Sequence, residues 1–307
     1  MLYGHTPRPQ FQLESGSYAA DPAPVLDIRR NSLRTDYDAT ARAVWMRMSP
    51  HPRPCFTPEL LTDILAVQST IRQAESRADF VVLASDVPGV FNLGGDLSLF
   101  HRLATARDAA ALMDYAERCV QCLHNALSGF GAGITSIALI EGDALGGGFE
   151  AALSSHVVVA ERGTKLGFPE ILFNLFPGMG AFSLVARRAG PQVAERLILG
   201  GEILSAEKMH ELGLVDHLAE KGEGTALVRR LIRERGRAAN GLRAYRRACL
   251  HTPFSVSYEE LIEVTKEWVR AACMLDARDL RIMDRLVKAQ NRLVAGACPE
   301  PEQALAA

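Results

Sequence analysis

The chain has 307 residues, of which 48% are hydrophobic and 23% charged, a composition that excludes a protein disordered along its whole length. Thirty-four basic and 36 acidic residues leave a net charge of −2, so bulk charge gives no indication of nucleic-acid or membrane binding. No apolar run reaches the length of a membrane-spanning helix, and no secretory leader is visible. We therefore expect a cytoplasmic protein without membrane contact.

The cysteines and histidines give no indication of a metal site. Six cysteines are too few for a disulfide scaffold in a chain of this length. Cys119 and Cys122 form a C-x-x-C, but it lies in a helical pattern without a second pair, which favours packing over metal or redox chemistry. The histidines show no pairing at ligand spacing. We expect no metal and no cofactor.

The first half of the chain alternates predicted strands and helices. Residues 1–40 contain four prolines and little periodicity, which predicts an N-terminal extension outside the core. A strand is predicted at 43–48, and Thr57-Pro58-Glu59 is typical of a helix start. Apolar runs predict three buried parallel strands, at 80–84, 136–140 and 157–160. Apolar residues at 3.6-residue spacing predict a helix at 106–128.

Almost only helix is predicted beyond residue 160. Helices are indicated at 191–199 and 205–212, and Ser257 to Glu260 forms a capping box in front of a long helix. A last amphipathic helix carries Leu280 to Val287. The sequence thus predicts an α/β core at 41–225 and a helical C-terminal region at 226–307.

Two glycine-rich loops carry the strongest chemical signal. The loops are Phe91–Leu97 and Glu141–Glu150, and each follows a predicted strand. Glycines that enter a helix leave free N–H donors at the positive end of its dipole, so two such loops could form an oxyanion hole. The glycines could equally make tight turns only. A dinucleotide site is less well supported, because the helix after Gly146 is too short and the acid at Glu161 comes too early.

Three segments resemble the crotonase (enoyl-CoA hydratase/isomerase) superfamily in order and spacing. They are Ala144–Glu150, the run Gly167-Phe-Pro-Glu170-Ile, and the run Phe176-Pro-Gly-Met-Gly180. The resemblance covers about residues 42–220. It implies the crotonase (ClpP/crotonase-like) fold, a spiral of ββα units with a helical C-terminal region that builds trimers. A homo-oligomer based on trimers is therefore expected.

The resemblance also implies a catalytic site. In the family, two backbone N–H groups polarise a thioester carbonyl, and by motif match these belong to Gly95 and Gly147, with Gly94 and Gly146 beside them. Hydratases of the family use two glutamates as acid and base, at the positions of Glu150 and Glu170. Such a pair suits the addition or removal of water, because one group moves the proton at C2 while the other handles the oxygen at C3. Without the resemblance, both would read as ordinary first-turn or helix-end acids.

Within the superfamily, the segment Glu141–Gly180 is similar to the bacterial diffusible signal factor synthases (RpfF type). That similarity implies dehydration of a 3-hydroxyacyl thioester on acyl carrier protein, followed by hydrolysis to a free cis-2-unsaturated fatty acid used in quorum sensing. It also implies an acyl pocket and a lid formed by the C-terminal helices. The pocket positions matched are Leu145, Met179, Trp268 and Leu286. Ordinary core packing is the alternative for the last three.

Two sequence features bear on whether the acyl group is carried by CoA or by acyl carrier protein. No lysine follows Asp96 in Leu97-Ser-Leu-Phe100, where many CoA-using relatives place a basic residue, and this weakens a preference for CoA. Residues 229–247 contain eight arginines against Glu234 alone, so this stretch could steer the acidic carrier protein or could be a solvated helix face.

Two other functions remain open. One is an ordinary enoyl-CoA hydratase of fatty-acid metabolism, which would release no free acid. The other is a regulatory role through binding, since the subfamily resemblance implies capture by the receiver domain of a sensor kinase. We expect no binding to nucleic acid.

Overall fold

The structure, a computed structural model, describes residues 25–297. Residues 1–24 of the predicted extension and residues 298–307 of the predicted C-terminal region lie outside the described residues, as do the side chains of Ala289 and of 291–297.

The described chain contains ten strands, with the following bounds: β1 (Leu33–Asp38), β2 (Ala43–Met48), β3 (Phe80–Ser85), β4 (Val90–Asn92), β5 (Thr135–Ile140), β6 (Asp143–Leu145), β7 (Val157–Glu161), β8 (Lys165–Gly167), β9 (Ile203–Ser205) and β10 (His217–Ala219). The helices of the same residues are α1 (Pro58–Gln73), α2 (Leu97–Ala106), α3 (Ala109–Leu127), α4 (Gly147–Leu153), α5 (Ala181–Ala189), α6 (Pro191–Gly200), α7 (Ala206–Glu211), α8 (Gly224–Gly236), α9 (Ala239–Cys249), α10 (Tyr258–Ala272) and α11 (Ala277–Ala297). Short 3₁₀ turns cover Gly129–Gly131 and Pro169–Phe173.

The strands form two sheets. The large sheet has the order β1-β2-β3-β5-β7-β10, and all its neighbours are parallel except β1 and β2. The small sheet has the order β4-β6-β8-β9. Each of the pairs β3/β4, β5/β6 and β7/β8 contributes its first strand to the large sheet and its second to the small sheet, and a helix or 3₁₀ turn follows. This repeated unit is the predicted ββα spiral, and the fold class is confirmed.

Three predictions of local structure differ from the structure. β1 lies inside the predicted extension, where Leu33 is fully buried, so residues 33–38 belong to the sheet. The single helix predicted at 106–128 is preceded by a separate helix, α2, which Asp96 caps through hydrogen bonds from the N–H groups of Ser98 and Leu99. The region beyond residue 160 also contains β8, β9 and β10. Strands of three residues are too short to show a period, which is why the sequence did not reveal them.

The two faces of the large sheet are covered by different helices. Alternate residues of a strand point to opposite faces, so Val44 and Met46 join the core under α1, α3 and α4, while Trp45 and Val82 pack under α8. The C-terminal helices add a third cluster, in which α10 packs on α3 and α11 packs on α2. Between residues 25 and 297, no helix combines the length and the apolar character needed to span a membrane.

Candidate active site

The triple glycine forms the start of α4. Gly146 has φ +53° and ψ −128°, a conformation that L side chains rarely adopt, and its carbonyl accepts hydrogen bonds from the N–H groups of Phe149 and Glu150. In a trans peptide the N–H is antiparallel to the preceding C=O. Because the carbonyl of Gly146 points along the helix, the N–H of Gly147 points out of its N-terminal end.

The first glycine loop is aimed in the same way. The Phe56 N–H donates to the carbonyl of Gly94 at 2.8 Å, so the N–H of Gly95 points away from Phe56. Gly94 has φ +92°, and its N–H donates to Oδ1 of Asn92 at 2.8 Å. The asparagine of the Phe91–Leu97 loop thus holds the turn that presents Gly95.

The two loops touch each other. A Cβ added to Gly94 would lie 3.0 Å from the nitrogen of Gly147, and one added to Gly147 would lie 3.5 Å from the nitrogen of Gly95. Within residues 25–297, no acceptor takes the N–H of Gly95 or that of Gly147. Two adjacent, unpaired N–H donors at a helix start form an arrangement that can hold a developing oxyanion.

Tyr115 and Asp96 anchor the Gly95 loop to its surroundings. The buried Tyr115 hydroxyl donates to the carbonyl of Phe56 and accepts the N–H of Asp96 at 3.2 Å. The carboxylate of Asp96 forms an ion pair with Arg53, with Oδ1 of Asp96 2.9 Å from Nη2 of Arg53 and about 12% of each side chain exposed. Since Phe56 in turn fixes the carbonyl of Gly94, Tyr115 acts on the direction of the Gly95 N–H through one intermediate residue.

Glu150 is held by the backbone. It lies on α4, one turn after Gly146, and only 1% of the residue is exposed. Its Oε1 accepts the N–H groups of Met179 and Ala181, both at 2.9 Å. Burial raises the pKa of Glu150 to about 7, and the two N–H donors oppose that rise because they stabilise the charged form.

Glu170 has no such support. It lies in the 3₁₀ turn after β8, and its Oε1 occupies the space that a Cβ on Gly146 would need, at 2.2 Å. The residue as a whole is only partly buried, but its Oε2 is shielded from solvent and has no hydrogen-bond partner among the described residues. Burial, and then the charge of Glu150, raise the pKa of Glu170 to about 8.

Both carboxylates line one cavity of about 250 Å³. Its walls are otherwise mostly apolar and bring together the spiral and the C-terminal helices, since Trp268 of α10 and Leu286 of α11 line it together with the glycine loops. The predicted residues in the wall are Gly95, Leu145, Gly146, Gly147, Glu150, Glu170, Met179, Trp268 and Leu286. Gly94 lies directly behind Gly147. The structure therefore brings all ten predicted site residues together, while their roles remain predictions.

Phe100, Tyr115 and Gln290 are among the wall residues that sequence reasoning missed. Tyr115 and Phe100 pack edge to face with ring centroids 5.2 Å apart, and Phe100 packs against Trp268 at 4.9 Å. Tyr115 lies within the helix predicted at 106–128, and Phe100 lies on α2, which was not predicted, so neither carried a separate signal. Gln290 also lines the cavity, and its Oε1 is buried without a partner among the described residues. A polar residue seven positions after the buried Met283, on the inward side of α11, is a signal that could have revealed it.

The arginine-rich stretch 229–247 does not border this cavity. It forms α8 and α9, which pack on the other face of the large sheet. Arg229 pairs with Asp38 and stacks over Trp45. Arg243 pairs with Asp79 at 2.7 Å and donates to nearby backbone carbonyls. Arg229 and Arg243 therefore hold α8 and α9 to the core, and the stretch is not a single solvated face.

Comparison with known proteins identifies the family to which the chain belongs. The profile of the family described as enoyl-CoA hydratase/isomerase matches residues 43–248, about two thirds of the chain. The chain belongs to this family. The crotonase spiral, the paired N–H groups and the buried carboxylates therefore belong to an enzyme of the hydratase/isomerase type.

Solved structures show the shared fold. An enoyl-CoA hydratase from Bacillus halodurans is 18% identical with a TM-score of 0.75, covering 83% of this chain and all of its own. A putative polyketide biosynthesis enoyl-CoA hydratase from Bacillus subtilis is 18% identical with a TM-score of 0.65, covering 85% and 99%. DspI from Pseudomonas aeruginosa is 20% identical with a TM-score of 0.61, covering 85% and 96%.

Proposed function

We propose that the protein dehydrates a medium-chain 3-hydroxyacyl thioester on acyl carrier protein and then hydrolyses the enoyl thioester, releasing a cis-2-unsaturated fatty acid that serves as a quorum-sensing signal. The observation that carries this proposal is the pair of buried carboxylates, Glu150 and Glu170, facing one apolar cavity beside two unpaired N–H donors. The similarity of segment Glu141–Gly180 to the signal synthases supports the choice of product.

The raised pKa values suit the first step. Two interacting carboxyls whose pKa values lie near neutrality share about one proton there, so one is ionised while the other is protonated. The ionised group takes the proton from C2. The protonated group gives its proton to the C3 hydroxyl, which leaves as water, and the C2–C3 double bond forms. During this step the Gly95 and Gly147 N–H groups hold the negative charge on the thioester oxygen.

The second step uses the same groups on water. A carboxylate takes a proton from a water molecule, whose oxygen attacks the thioester carbon. The resulting oxyanion lies at the two N–H donors, and its collapse breaks the carbon–sulfur bond, so that the thiol leaves with a proton. No metal or redox cofactor enters either step.

An ordinary enoyl-CoA hydratase is the second candidate, because the family profile and the neighbour from Bacillus halodurans carry that description. A hydratase would use the same two carboxylates but would not hydrolyse the thioester. Assembly around trimers and capture by a sensor-kinase receiver domain stay predictions.

The two candidates differ in product and in carrier. Purified protein is given a 3-hydroxydodecanoyl thioester on acyl carrier protein and, in parallel, on CoA, and products are identified by mass spectrometry. The proposal expects free cis-2-dodecenoic acid, formed with the higher kcat/KM from the carrier protein. Trans-2-enoyl-CoA with an intact thioester would establish the plain hydratase and remove the proposal.

A further inference from the structure

The outer face of α11 carries a stripe of positive charge. Its members follow one another at intervals of three, four and three residues, so they lie along one side of the helix. All are exposed, and they are Arg278, Arg281, Arg285 and Lys288. We call this set the α11 basic stripe. The chain as a whole has a net charge of −2, so the stripe is a local concentration of charge and does not reflect bulk composition.

The opposite face of the same helix forms part of the catalytic cavity. Met283 is fully buried, and Leu286 and Gln290 line the cavity wall. A helix with its side chains is about 10 Å across. The α11 basic stripe therefore lies about one helix diameter, or about 10 Å, from the side chains of α11 that line the cavity.

The three arginines of the stripe are exposed charges with few acidic side chains beside them among the described residues. Arg278, Arg281 and Arg285 form no ion pair with any carboxylate whose side chain is described in residues 25–297. Two exposed acids flank the stripe: Asp276 accepts the N–H groups of Arg278 and Asp279 at the start of α11, and Asp284 faces His101 of α2 at 3.8 Å. On the α2 side of this contact, Arg102 is also exposed and adds to the positive potential.

From this arrangement we propose that the α11 basic stripe is the docking surface for the acidic acyl carrier protein, an inference that rests on the proposed function. Charge complementarity of this kind steers an acidic partner to a surface and raises the association rate. Docking on α11 places the carrier next to the helix that closes the acyl cavity, so its flexible arm can deliver the thioester to Gly95 and Gly147. The arginines of α8 and α9 lie on the other face of the large sheet and lack this relation to the cavity.

The test uses charge reversal and three forms of one acyl chain. The double variant Arg281→Glu/Arg285→Glu is compared with the native protein on 3-hydroxydodecanoyl thioesters of acyl carrier protein, CoA and N-acetylcysteamine, the last being small and uncharged. A matched control reverses two exposed arginines of α8, Arg230→Glu/Arg233→Glu. Each protein is assayed over a range of salt concentrations, because steering between exposed charges weakens with ionic strength.

We expect the α11 variant to lose at least tenfold in kcat/KM with the carrier-protein substrate and most of its salt dependence, while N-acetylcysteamine thioester turnover is unchanged. The α8 control should behave like the native protein. Unchanged turnover of the carrier-protein substrate by the α11 variant, or an equal loss with CoA, would overturn the docking surface alone. A native protein that does not prefer the carrier protein would overturn the proposed function as well, so the two failures are distinguishable.

Discussion

The two glutamates of the cavity occupy contrasting surroundings. Glu150 stands on α4 and receives two backbone N–H groups, so the fold itself stabilises its charge. Glu170 stands in a 3₁₀ turn, and its buried Oε2 has no partner among the described residues. A buried carboxylate oxygen without a partner is costly to ionise, which fits the higher pKa of Glu170, about 8 against about 7 for Glu150. Because the two N–H donors favour the ionised form of Glu150, we propose that Glu150 is the ionised member of the pair and that Glu170 is left for substrate or water.

Removal of either carboxylate should have the largest effect on activity. Glu150→Gln and Glu170→Gln should each lower kcat by about 10³-fold, within the range for a lost acid or base, because the pair needs both members. Product formation measured by mass spectrometry checks this. Glu161→Gln is a matched control, since Glu161 is also buried and accepts a backbone N–H, that of Gly224 at 3.0 Å, but does not line the cavity. Full activity in either site variant would exclude that residue from catalysis.

The contact between Gly146 and Glu170 gives the next largest expected effect. In Gly146→Ala the new Cβ would lie 2.2 Å from Oε1 of Glu170, in addition to the strain at φ +53°. Displacing the carboxylate and the start of α4 should reduce kcat about 10²-fold. Gly163→Ala has comparable strain at φ +82° but open space around its Cβ, so it should keep its activity. Equal activity of the two variants would contradict the close packing of Gly146 on Glu170.

The hydroxyl of Tyr115 is expected to align the N–H of Gly95, the second donor of the site. Tyr115→Phe removes the hydroxyl that joins Phe56 to Asp96, so the Gly95 N–H should lose alignment and kcat should fall roughly tenfold, or about 1.4 kcal/mol, with little change in KM. Tyr37→Phe is the matched control, because the Tyr37 hydroxyl also donates to a carbonyl, that of Arg77 at 2.7 Å, away from the cavity. A fall in thermal stability without any loss of kcat would mean that Tyr115 is structural only.

The difference between the two glutamates in the pH dependence of stability should be the smallest effect. Both carboxyls have pKa values raised above the ordinary 4.5, so the folded state keeps protons that the unfolded state releases. Stability should therefore fall as pH rises from about 5 to about 8. Glu170→Gln should flatten this decline more than Glu150→Gln, as measured by calorimetry. The reverse order would contradict the contrast between the two sites.

The parts of the fold and of the site that the sequence predicts are those that depend on residues close together in the chain. Thr57, Ser205 and Ser257 each accept the N–H that a capping residue should accept, and the apolar runs of β3, β5 and β7 form the centre of the large sheet. The glycine loops and both glutamates were found because family motifs and backbone requirements coincide there.

The parts that the sequence did not reveal depend on contacts between distant elements. The hydroxyl of Tyr115 meets Phe56 across 59 positions of the chain, and no local pattern encodes that distance. The arginines at 229–247 looked like one basic surface, but the fold places Arg229 against Asp38 and Trp45 and Arg243 against Asp79. The stripe on α11 is visible in the sequence as spacing, and only the packing of α11 on the cavity gives it a position relative to the site.

Isotope labelling of water distinguishes hydrolysis of the thioester from dehydration alone. The native protein is incubated with 3-hydroxydodecanoyl-acyl carrier protein in H₂¹⁸O, and the released lipid is analysed by mass spectrometry. If the two carboxylates and the two N–H donors carry out both dehydration and hydrolysis, the product is free cis-2-dodecenoic acid with one ¹⁸O in its carboxyl group. Label confined to the C3 hydroxyl of an intact thioester would show that the site only adds and removes water, and would contradict the claim.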